Sequence, residues 1–170
     1  MKLLQNSDLA KIKFNEEKLK LQEAILEGKY SFDSLINHLT IPKIQDKAAW
    51  VMSGVVEHRP KILTENEIGY LLKLLEDGIS GVAERNIWRT FQFIDIPRVH
   101  EERCLHLAFE TLENKKSAIA VEVFAMTTAF ELSKNNEDLK HLLKEILLFK
   151  MGNSSKGFQS RAGKILKRIS

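Results

Sequence analysis

The chain has 170 residues, of which 44% are hydrophobic and 29% charged, with only 3 Pro and 8 Gly, a composition that excludes wholesale disorder and favours helix throughout. Its length is that of a single domain, able to bury about two-thirds or more of its unfolded surface without disulfide or metal. A net charge of +3 permits an acidic partner without requiring one, and the lone Cys104 excludes an intramolecular disulfide framework and suits a reducing compartment.

Residues 1–14 mix charged and apolar side chains without period and read as a frayed end or an extra turn of helix. Asp8, Lys11 and Lys13 interrupt the apolar run that a secretory signal needs, and no later stretch is apolar for long enough to span a bilayer. The expected compartment is the cytoplasm, with no membrane partner. From Asn15, a candidate N-cap, an amphipathic helix runs towards Gly28 with Leu19, Gln22 or Ala24, and Leu26 inward. Ser31 opens a short helix in which Phe32, Leu35, Ile36 and Leu39 are apolar. Pro42 cannot continue that helix but suits the first turn of the next, which spans about 43–58 and stops before Pro60.

Three further pairs follow. Helices are predicted over 65–75, with Ile68, Leu71, Leu72 and Leu75 inward, and over 80–97, from Ser80 to Pro97. In the second of these Gly81, Val82, Ala83, Ile87 and Phe91 read as repeat and core positions. The next pair covers 99–112, with Leu105, Ala108, Phe109 and Leu112 apolar, and 117–132, apolar on most sides and so expected to be buried. The last covers 137–150 and 155–169, separated by a Gly-Asn-Ser-Ser turn. No segment alternates with period two, so no strand is expected.

The helices are related to one another. Gly81, Val82, Glu84 and Arg85 find counterparts 76 residues later in Gly157, Phe158, Ser160 and Arg161. Ser80, Val82, Ala83, Thr90 and Phe93 find them 37 residues later in Ser117, Ile119, Ala120, Thr127 and Phe130, and Lys47 and Trp50 precede Arg85 and Trp88 by 38. A recurrence of 36–39 residues, two helices to a unit, predicts an all-α solenoid of about four antiparallel helix pairs with an additional N-terminal helix, forming one domain over 1–170. The segments 46–60, 84–97, 117–134 and 154–169 resemble HEAT-like, or armadillo-like, repeat proteins, and more closely a group of short bacterial proteins of that fold without assigned activity. The resemblance covers 31–170 and implies the fold but no catalytic residue.

On the 80–97 helix, Arg85, Trp88, Arg89 and Gln92 share one side. The shifts add Lys47 and Trp50 before them, Glu122 after them, and Arg161, Lys164 and Arg168 in the last helix. Inner helices of such solenoids line a concave face, where these cations and tryptophans predict a binding surface for a protein or peptide. Nucleic acid is the alternative partner, since cations and aromatic platforms also suit phosphates and unstacked bases. A structural reading competes for part of the stripe: Arg85, Glu122 and Arg161 form a charge ladder between stacked helices, and Trp88 packs beside it.

Enzymatic signals are absent. His100 and Cys104 lie four apart, but zinc needs three or four ligands, and Cys104 reads as a small core residue. There is no phosphate-cradling glycine loop, nucleophile elbow or paired zinc motif. The chain also resembles in fold the HEAT-like DNA glycosylases that excise alkylated bases, whose cationic face carries aromatic and acidic groups. Glu122 is the only acid on the present stripe, and no Trp and Asp pair stands one turn apart along it. The expectation is therefore a non-catalytic module with no cofactor and no metal.

Overall fold

Straight-chain residues with few breakers wind into ten α-helices and no strand among the described residues of the computed structural model, which are 1–114 and 116–169. The chain clusters into two compact units, Met1–Asp95 and Ile96–Ser170, each with its own core. No described helix is long and apolar enough to cross a membrane.

The first unit holds α1 (Asn6–Ala10), α2 (Asn15–Leu26), α3 (Phe32–Asn37), α4 (Gln45–His58), α5 (Glu65–Asp77) and α6 (Gly81–Phe91), with 3-10 turns at His38–Thr40 and Pro60–Ile62. Its centre is α4, where Ala48, Ala49 and residues 51–56 are all buried, and against which α2, α3 and α6 pack. Small side chains at Ala48, Ala49, Ser53 and Gly54 let those neighbours come close. The opening segment is anchored: Leu4, Leu9 and Ile12 are buried, Leu4 N donates to Ser34 Oγ at 2.9 Å, and Lys2 pairs through its backbone with Lys29 and Ser31. Pairing of extended backbone has no helical period, so the sequence pattern does not reveal it.

Three inward positions differ from expectation. Leu19 is exposed on α2, where Gln22 is buried as one of the two expected alternatives and Ile25 is buried in addition. Gln22 tolerates burial because its Nε2 donates to Val51 O at 3.1 Å. On α6, Gly81 and Val82 face outward while Ala83, Ile87 and Phe91 are buried. That helix also ends at Phe91 rather than Pro97, where Gln92 N and Phe93 N turn back to Arg89 O at 3.2 Å and Thr90 O at 3.1 Å. Its start is fixed by Ser80 Oγ, which accepts from Ala83 N and donates to Asp46 of α4.

Gly54 is required by packing. A Cβ there would lie 1.9 Å from Gln22 Nε2. Gly54→Ala is therefore expected to displace the Gln22 amide and cost about 1–3 kcal/mol. Combining it with Gln22→Ala should recover part of that loss, since the two changes share one space. Additive losses in urea denaturation would show that the clash is not the cause.

The second unit holds α7 (Arg98–Glu113), α8 (Ile119–Ser133), α9 (Glu137–Met151) and α10 (Lys156–Ile169). Here α7 packs on α8, α9 on α10, and α8 lies against both α9 and α10. Cys104, Leu107, Ala108 and Leu112 of α7 are buried, with Leu105 and Phe109 only half-buried, so the inward face is turned slightly from the expected one. In α8 the buried set runs from Val121 to Ser133, in keeping with its apolar sequence. Asn136 caps α9 by accepting from Leu139 N at 3.1 Å, and Ser155 accepts from Phe158 N at the start of α10.

Candidate functional site

In the first unit, packing of α6 on α4 determines where the predicted stripe points. Trp88 is 0% exposed, with its ring edge-on to Phe91 at 5.7 Å between centroids, so it is core and not a stacking platform for a ligand. Arg85 Nε and Gln92 Nε2 are enclosed without a hydrogen bond. The Glu84 carboxyl, raised chiefly by burial, is drawn back down by the nearby Trp88 indole.

The cations at either end of this stripe are engaged. Lys47 Nζ donates to Ala10 O at 2.8 Å. Arg89 donates to Ser53 Oγ at 2.5 Å and pairs with Glu57 at 2.6 Å, its guanidinium lying 5.1 Å from the Phe93 ring centroid. Half-buried Trp50 is covered by Lys18, whose Nζ stands 4.8 Å from the ring centroid. Burial holds the Lys18 ammonium below the usual range, helped by the like charge of Arg89 and opposed by Glu57. Lys18, Ser53 and Glu57 escaped the sequence reading because repeat shifts align equivalent positions and cannot show which side chains from α2 and α4 meet them.

In the second unit, Glu122 is bound by Lys150 of α9 at 2.5 Å, with side-chain exposures of 9% and 17%. Lys150 also donates to Leu112 O and stands 5.7 Å from the Phe158 ring centroid. Leu112 O belongs to the last turn of α7, where carbonyls lack helical partners and the backbone dipole attracts a cation. Glu122 lies in the first turn of α8, where the opposite end of the dipole favours an anion. Arg168 stacks 4.4 Å from the Phe130 ring centroid, with Glu131 at 3.8 Å; Arg161 is half-buried and Lys164 exposed.

The Glu122 and Lys150 pair lines a cavity of about 700 Å³ that the sequence reading did not anticipate. One wall is apolar, from Ile119, Leu142, Ile146 and Phe149. Phe149 is 84% exposed, Ile119 50% and Leu142 41%. Glu113 and Glu145 add carboxylates, and Ser117 with the turn Asn153, Ser154 and Ser155 supplies small polar groups. Such a volume, with a largely apolar lining and a few placed polar groups, suits a ligand or an anchoring side chain. A signal for it does exist in α9, where Leu142, Ile146 and Phe149 form a second apolar row beside the buried Leu143 and Leu147.

Cys104 is fully buried, and burial pushes its thiol up to about 12, so it is no nucleophile. Iodoacetamide is expected to label it only as fast as the fold opens. Because the folded thiol keeps its proton where the unfolded one has lost it, Cys104 withdraws stability as pH rises from about 9 towards 12. Rapid labelling of native protein at pH 8 would place the thiol at the surface. No group of three or more His, Cys, Asp and Glu side chains arranged to hold a metal ion occurs among the described residues.

Compared with family models, curated proteins and solved structures, the chain finds no match.

Proposed function

We propose that the chain is a non-catalytic HEAT-like interaction module that takes a protein or peptide segment at the cavity between α8 and α9. The observation that carries this is the row of exposed Leu142, half-buried Ile146 and exposed Phe149 beside Ile119, with the Glu122 and Lys150 pair set into the same cavity. Apolar side chains of this size left in water are a cost that burial by a partner would relieve. The solenoid reading is supported by the 36–39 residue recurrence and by the packing of α7 on α8 and of α9 on α10. Nucleic acid is less well served, because Lys47, Arg89 and Arg168 are engaged by other groups of the chain and Trp88 is enclosed.

A displayed random-peptide library, panned on the wild type and counter-selected on Phe149→Asp, tests the reading. Enriched peptides should lose about tenfold or more in affinity on Phe149→Asp and should shift the amide resonances of Ile119, Leu142 and Ile146. Binders indifferent to Phe149, or shifts confined to the first unit, would move the site elsewhere. Tight, salt-sensitive binding of labelled DNA would favour nucleic acid instead.

A further inference from the structure

Resting on the cavity as a peptide site, we infer that its occupant is a cationic amphipathic helix, which lays an apolar stripe along α9 and sets Lys or Arg side chains against Glu113 and Glu145. Leu142, Ile146 and Phe149 stand at i, i+4 and i+7, one face of α9 over about two turns, or roughly 10 Å. The neighbouring row, Leu143 and Leu147, is spent on the core of the unit. The helix is thus apolar on two sides, and the fold uses one of them.

A helical partner fits because the apolar wall is built from α8 and α9, whose backbone groups bond within their own helices, so it presents no sheet edge for an extended strand to join. A helix satisfies its own backbone and offers matching anchors at i, i+3 or i+4, and i+7. Charge then selects its sign. The described lining holds three carboxylates and one ammonium, and Lys150 is committed to Glu122 and to the end of α7. Glu113 and Glu145 remain at the exposed margin, Glu145 having His141 at 3.3 Å as a neighbour that is charged only when protonated. The described lining is therefore net acidic, although the chain as a whole carries +3. An anionic helix would meet like charge there, and a cationic one would be complemented.

The test uses two synthetic peptides with the same apolar stripe and matched helicity, one with Lys and the other with Glu on the flanks, titrated against the full chain by fluorescence anisotropy. The Lys peptide should bind about tenfold or more tightly than the Glu peptide at low salt, with the gap narrowing as salt screens exposed charges. Glu113→Gln with Glu145→Gln, both at exposed positions, should close the gap, and Phe149→Ala should weaken the Lys peptide. Equal affinity for the two peptides, both weakened by Phe149→Ala, would overturn the cationic partner and leave the cavity as a peptide site. Binding of neither would overturn both. A preference for Lys that survives the double Gln change would overturn the assignment to Glu113 and Glu145.

Discussion

Trp88→Ala is expected to destabilise the chain by about 3–5 kcal/mol, a large part of the roughly 5–15 kcal/mol available to a domain of this size. The indole is the largest of the fully buried side chains and sits in α6, which packs on α4, itself buried nearly all round. Removing it deletes the edge contact with Phe91 and leaves a cavity that helices on either side close only in part. Trp88→Phe should be much milder, at about 1–2 kcal/mol, because an aromatic ring remains in the same space. Urea denaturation measures both. Helical circular dichroism follows the unfolding of the wild type and of both variants, which themselves lack Trp88. A loss below about 1 kcal/mol for Trp88→Ala would remove α6 from the core.

Breaking the Glu122 and Lys150 pair is the second large effect. Glu122→Ala strands an ammonium that is 17% exposed, keeping Leu112 O and the Phe158 ring beside it. The expected loss is about 2–4 kcal/mol, near the low end for buried pairs because those contacts persist. Lys150→Met strands the carboxylate instead, which is 9% exposed, and should cost a similar amount. Glu122→Leu with Lys150→Met, which removes both charges and retains volume, should lie close to wild type. If all three variants lose less than about half a kcal/mol at pH 7, the pair is solvated and the cavity wall is not built around it.

Much of this was written in local pattern. Helical spacing of apolar residues located the principal helices from α2 to α10, and Pro42, Pro60, Gly28 and Gly78 marked breaks that the fold uses, the two glycines at φ +77° and +85°. The burial of α8 followed from its being apolar on most sides. These features depend on neighbours three or four residues apart, which a sequence displays directly.

The candidate site is less legible, because its geometry depends on meetings between distant segments. Aligning Arg85, Trp88 and Arg89 with Lys47 and Trp50 could not say that Trp88 is enclosed, that Arg89 is taken by Ser53 and Glu57, or that Lys18 covers Trp50. Glu122 was singled out as the acid of the stripe, and its bond to Lys150, 28 residues away, depends on how α8 and α9 pack. The sequence alone determined the helices and their apolar rows, since both are set by short-range periodicity. Which row of α9 is buried and which lines a cavity was decided only in three dimensions, because hydrophobicity says that a side chain gains by leaving water and not what it will leave water against.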